Sequence, residues 1–211
     1  MIEPFAKNSV RGFLHRPQRP SGHAIALTHG AGSNCQAPLL VAVAGEFAEA
    51  GFTVLRCDLP YRQARPSGPP SPGGAAADRE GLREAAALLR QIATGRVFLG
   101  GHSYGGRQAS MLAASDPGAA EGLLLMSYPL HPPRRPGELR TAHFPKLAVP
   151  AVFVHGTRDP FGTTQEMQHA LALIPAPSAL VEIEGAGHDL KSGQTPQRAL
   201  GAFLARMSLE E

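Results

Sequence analysis

The sequence holds only two cysteines, Cys35 and Cys57, too few for a disulfide scaffold. Charged residues make up 18% of the 211 positions, too small a share for a solvated disordered chain or a long coiled coil. No apolar run approaches the roughly 18 residues of a membrane span, so no membrane partner is expected. The N-terminal Met-Ile-Glu-Pro-Phe-Ala-Lys lacks both the basic and the apolar region of a secretory signal. A cytoplasmic location with two free thiols follows as the default expectation. Lysine is scarce too: three stand against 17 arginines, which are dispersed apart from the pair Arg134–Arg135. The net charge of +3 therefore reads as ordinary surface charge, and no nucleic-acid partner is expected. Metal and nucleotide spacings are missing as well. There is no H-x-x-x-H, no C-x-x-C and no G-x-x-x-x-G-K-[ST], and the glycines around Ser103 do not fit G-x-G-x-x-G.

What is present is a 43% hydrophobic chain long enough to bury roughly 70% of its unfolded surface. One domain over 1–211, as a monomer or homodimer, is the expectation. Short apolar runs at Val10–Leu14, Ala24–Thr28, Phe52–Leu55, Val97–Leu99, Leu123–Met126, Ala151–Val154 and Ala179–Ile183 read as strands, the first as an edge strand. Between them lie helical patterns. Leu40, Val43, Ala44 and Phe47 share one face, and Gly51 stops that helix. Leu82, Ala85, Ala86, Leu89 and Ile92 share another, with Asp78 as its cap. Thr163 and Glu166 form a capping-box pair, and Thr195-Pro196 opens a last helix. The stretches 60–77 and 129–145 carry no periodicity and read as loops.

Buried strands alternating with amphipathic helices imply an α/β, three-layer α/β/α sandwich around a mostly parallel sheet. A site belongs beyond the C-terminal ends of such strands. There Gly101-His102-Ser103-Tyr104-Gly105 matches G-x-S-x-G between a strand and a helix, as a nucleophile elbow requires. The plain alternative is a glycine-rich turn with a serine cap. A serine needs a base, and His188 follows the last strand; the base needs a carboxylate, and Asp159 follows the strand before it. His29 and His155 suit loop-holding roles, Asp58 likewise, and His102 is expected to point away from Ser103. Oxyanion donors are expected from the amides of Tyr104 and of Ala31, the latter in His29-Gly30-Ala31-Gly32.

These four segments, in this order, resemble an α/β-hydrolase over nearly the whole chain. Leu27–Ser33 with Asp58-Leu59-Pro60-Tyr61-Arg62 is similar to a group that includes bacterial dienelactone-hydrolase-like proteins. The same group holds the testis-expressed and chromatin-complex-associated hydrolase-like proteins of animals. The resemblance implies a Ser-Asp-His hydrolase with no cofactor. Dienelactone hydrolases themselves use a cysteine where this chain has Ser103. Ser-Tyr-Gly-Gly is similar to prolyl-oligopeptidase-type peptidases, without length for their accessory domain. The segment after Ser127 is too short for a helical cap, so an open site with a low lid from 129–145 and 60–77 is expected. Arg62, Arg65, Arg134, Arg135 and Arg140 on those segments are candidates for binding an anionic acyl group or a nucleotide-like thioester tail. The leading reading is cleavage of a small-molecule ester or thioester through an acyl-enzyme on Ser103. A non-catalytic scaffold and a small peptidase or amidase stay open.

Overall fold

The computed structural model describes residues 1–71 and 73–209. One eight-stranded sheet forms its centre: β1 (Ile2–Lys7), β2 (Val10–His15), β3 (Ala24–Thr28), β4 (Thr53–Cys57), β5 (Val97–His102), β6 (Leu123–Met126), β7 (Ala151–Gly156) and β8 (Ser178–Ile183). Their order is β1-β2-β4-β3-β5-β6-β7-β8. β1 and β2 pair antiparallel, β2 joins β4 antiparallel, and all remaining pairs are parallel. The three-layer α/β sandwich expected from the alternation is therefore present, and among the described residues it carries no lid.

Among the described residues six α-helices flank the sheet: α1 (Pro38–Glu49), α2 (Pro60–Ala64), α3 (Ala75–Arg90), α4 (Tyr104–Ser115), α5 (Thr164–Leu171) and α6 (Thr195–Met207). Strand alternation splits the core in two. Ile25, Leu27, Phe98 and Val152 meet α1 and α6 through Phe47 and Phe203. Ala26, Leu99, Leu125 and Phe153 meet the α3, α4 and α5 side through Leu82, Leu112 and Met167. Both faces are dry, which is why the central strands are apolar on both sides.

Four local expectations change. β2 is not an edge strand; β1 covers it, with Pro4 opposite Phe13. A proline that cannot donate to a ladder masks a strand in the sequence, and the sheet edge is where it is tolerated. The stretch 60–77 is not all loop, since Pro60 starts α2 and the Ala75-Ala76-Ala77 run starts α3 early. Asp78 consequently lies inside α3, fully buried, rather than capping it. α3 ends at Arg90, so Ile92 falls off the helix and stays 46% exposed. The capping box of Thr163 and Glu166 forms in both directions.

Beneath β2, the Arg56 Nε–H donates to His15 Nε2 at 2.8 Å, which requires a neutral imidazole. Burial, and then Arg56, push His15 from 6.5 down to about 4. The unfolded chain thus binds a proton between those values that the folded chain refuses. Stability supplied by neutral His15 is complete above pH 6.5 and is lost as pH falls towards 4. Denaturant titrations at pH 7.5 and 4.5 should show a smaller acid loss for His15→Gln than for the parent. Equal losses would move the acid sensitivity to another group.

Candidate active site

Ser103 stands between β5 and α4 with φ 51 and ψ −115, a backbone conformation that L residues seldom adopt. Its neighbours permit this turn. A Cβ on Gly101 would lie 2.7 Å from the Thr28 carbonyl oxygen, and one on Gly105 2.6 Å from that of His29. Only glycine lets β3 and the start of α4 approach so closely.

The structure brings the three expected side chains into one line. Ser103 Oγ lies 2.8 Å from His188 Nε2. His188 Nδ1 lies 2.8 and 3.0 Å from the two Asp159 carboxylate oxygens. The carboxylate fixes the proton on Nδ1 and leaves Nε2 free to accept from the serine. The Asp159 carboxylate is fully buried, while the His188 side chain keeps 23% exposure, so solvent reaches the imidazole. Asp159 also accepts the Phe161 N–H at 2.9 Å, and the Phe161 ring lies over His188 with centroids 4.2 Å apart. Carboxylate and ring together hold the imidazole from its edge and its face.

Three other histidines near the site hold backbone. His102 turns to the loop behind His188, its Nε2–H donating to the His188 carbonyl at 2.7 Å. Burial lowers its pKa, so it stays a neutral donor. His155 reaches the Gly162 carbonyl at 2.7 Å. His29 accepts the Leu59 N–H on Nε2 at 3.1 Å, which places its own proton on Nδ1, 2.9 Å from the Gly30 carbonyl. Asp58 accepts the Cys35 N–H at 2.7 Å, and Asp189 pairs with Lys191 at the surface at 2.9 Å.

The Ala31 loop and the start of α4 face each other beside Ser103. A Cβ on Gly30 would lie 3.5 Å from Ser103 Cβ, and the Gly105 N–H donates to the His29 carbonyl at 3.1 Å. Among the described residues neither Ala31 nor Tyr104 spends its N–H on another backbone carbonyl. Tyr61 braces the first loop, its hydroxyl lying 3.1 Å from the Gly30 carbonyl and 2.9 Å from that of Ala31. Holding the Gly30 carbonyl fixes the Gly30–Ala31 peptide plane, and with it the direction of the Ala31 N–H. Asp78 ties the two donor loops together. Its buried carboxylate accepts the Tyr61 N–H at 3.1 Å and the Tyr104 hydroxyl at 2.7 Å. Tyr61, Asp78 and Phe161 escape the sequence reading because each looks ordinary there: a loop tyrosine, a helix cap and a turn phenylalanine.

The arginines take other places. Arg62 is buried and donates to the carbonyls of Ser33, Ala31, Arg65 and Gly68, so it is a loop brace without a free anion-binding fork. Arg65 reaches the Pro69 carbonyl and Ser71 of its own segment. Arg134 is exposed, and Arg135 pairs with Glu138 at 3.0 Å. Among the described residues none of the four makes a hydrogen bond or ion pair with Ser103, Asp159 or His188. The expected low lid does not form either: the 129–145 segment is drawn into the core by Leu130 and Phe144, and 60–68 is held on the Ala31 loop.

A strand-to-helix serine facing a histidine and a carboxylate across a parallel sheet accords with one family comparison. A family described as the alpha/beta hydrolase domain matches residues 21–209. The chain belongs to this α/β-hydrolase family. Solved structures agree on the fold at low identity. A Thermus thermophilus protein is 24% identical with a TM-score of 0.75, over 100% of this chain and 99% of its own. Dienelactone hydrolase of Anabaena variabilis is 20% identical with a TM-score of 0.75, over 98% and 97%. Est1E of Butyrivibrio proteoclasticus, solved with ferulic acid bound, is 16% identical with a TM-score of 0.78, over 98% and 99%. This α/β-hydrolase also fits the limits of its helices. Among the described residues none is long and apolar enough to cross a membrane.

Proposed function

We propose that this α/β-hydrolase cleaves small esters or thioesters through an acyl-enzyme on Ser103. The observation that carries the reading is the continuous line from Ser103 Oγ through His188 to buried Asp159, with each link at 2.8 to 3.0 Å. In the proposed cycle His188 Nε2 takes the hydroxyl proton as Oγ attacks the substrate carbonyl carbon. The carbonyl π pair moves onto oxygen, and the amides of Ala31 and Tyr104 receive that charge at the dipole-positive start of α4. The tetrahedral adduct collapses, the C–O or C–S bond breaks, and His188 returns the proton to the leaving alkoxide or thiolate. Water then repeats the sequence on the acyl ester, with His188 again as base, releasing the acid and restoring Ser103.

Several features support an ester-type substrate. Among the described residues the fold has no lid, so the imidazole meets solvent directly and a small substrate needs no opening step. The α/β-hydrolase neighbours include Est1E and a dienelactone hydrolase, and the ferulic acid on Est1E is a carboxylic acid of the kind an ester would release. The serine at position 103 separates this chain from cysteine-dependent dienelactone cleavage. The most direct test is a fluorophosphonate probe followed by mass-spectrometric mapping of the modified peptide. Modification of Ser103, together with turnover in a chain-length series of aryl esters and thioesters, is the expected result. Absence of label, or label on another residue, would remove the reading. Label without turnover on any ester but with turnover on peptide anilides would shift it to an amidase.

A further inference from the structure

We propose that the cavity bordered by α3, α4 and residues 139–146 binds a phosphate-bearing molecule, gripped by Arg79, Arg107, Arg140 and Lys146. The cavity measures about 710 Å³, enough for a diphosphate and the group that carries it. Four cationic side chains line it, joined by His143, and none of its lining residues is acidic. The surface ion pairs of Arg16, Arg83, Arg90, Arg135 and Lys191 all lie outside it.

Among the described residues these cations hydrogen-bond to neutral partners or to none. Arg79 donates to the Gln108 side-chain oxygen at 3.0 Å, and Arg140 to the Pro129 carbonyl at 3.3 Å. Arg107 Nε is buried with no acceptor among the described residues. An unpartnered buried donor costs free energy, and like charges collected in one hollow repel. A multivalent oxyanion would relieve both, because it offers several acceptor oxygens and the opposite charge. Burial, and then the facing Arg107, lower the Arg140 pKa, consistent with two cations sharing one partly dry space. His143 is held near 4 by burial and Arg107, so it sits neutral against Ser110 and adds no charge at pH 7.

The position suggests which phosphate. The Arg107 N–H donates to the Ser103 carbonyl at 2.9 Å, one helical turn below the nucleophile. From there the cavity follows α4 as far as Ser115, leading away from the reacting oxygen. A substrate whose scissile bond lies at Ser103 and whose leaving group carries phosphate at a distance would span both places. That assignment rests on the hydrolase reading; the anion site itself does not.

Calorimetric titration with inorganic pyrophosphate tests the site without requiring turnover. Saturable one-to-one binding is expected, weakened at least about tenfold by Arg79→Gln with Lys146→Gln and by added salt. If the double variant does not fold, exposed Lys146→Glu gives the same comparison. No saturable binding by the parent, or equal binding by the variant, would overturn the proposal. Kinetics distinguish the two sources of phosphate. For a substrate tail, the variant's KM rises about tenfold for butyryl-coenzyme A and stays unchanged for p-nitrophenyl butyrate. Weakened pyrophosphate binding with both KM values unchanged would retain the site as one for free phosphate compounds. Binding that persists when Ser103 proves unreactive would separate the two proposals.

Discussion

Asp159→Asn is expected to lower kcat for ester hydrolysis by about 10⁴-fold while leaving the fold intact. The carboxylate accepts from His188 Nδ1 with both oxygens and from the Phe161 N–H. An asparagine oxygen can preserve only part of that arrangement. If its amide nitrogen faces Nδ1, the imidazole proton must move to Nε2, where it can no longer accept from Ser103. If its oxygen faces Nδ1, the negative charge opposite the transient imidazolium is still gone. Steady-state kinetics with p-nitrophenyl butyrate measure the loss, and a denaturant titration checks the fold. Asp58→Asn and Asp189→Asn should stay within a few-fold of the parent. The first carboxylate holds the Cys35 amide and the second pairs with exposed Lys191. A near-parental rate for Asp159→Asn, with a large loss at either of the others, would place the acid elsewhere.

The strand ends were legible because chemistry and topology coincide there. Apolar runs must be buried on both faces, and such a sheet can present polar groups only where its strands stop. Ser103, Asp159 and His188 each follow a run of that kind, so order alone narrowed the choice. The bracing side chains were not legible, since their roles depend on contacts between distant segments. Tyr61 and Asp78 meet only because α2 and α3 fold against each other, and both helices hid in a stretch rich in proline and glycine. Pro4 hides β1, and the arginine roles stay hidden because a sequence shows a side chain's charge but not whether its donors are already taken. Arg62 has the chemistry of an anion ligand, but four carbonyls occupy its donors. Arg79 and Arg107 look ordinary on their helices, and only the fold gathers them with Arg140 and Lys146 around one hollow whose lining has no acidic residue.

Gly156→Ala should reduce activity by about 10²-fold through geometry alone, since none of the backbone atoms its methyl meets takes part in the reaction. Gly156 ends β7, and its carbonyl accepts the Asp159 N–H at 3.1 Å, so it sets the turn that carries the carboxylate. On the other side a Cβ there would press on the Ala186 carbonyl oxygen and lie 2.6 Å from that of Gly187. Both atoms are backbone of the loop that presents His188, and neither can rotate aside as a side chain would. The added methyl must therefore spread the two loops that hold acid and base together, lengthening the links on both sides of the imidazole. A stability loss of about 1–3 kcal/mol should accompany the loss of rate. Gly201→Ala on α6 is the control, because a Cβ there meets nothing within 4 Å and a helix favours alanine. Activity within threefold of the parent for Gly156→Ala, at unchanged stability, would mean that the loops shift together. Preservation of the Asp159–His188 distance, rather than the absolute position of either loop, would then be the requirement for catalysis.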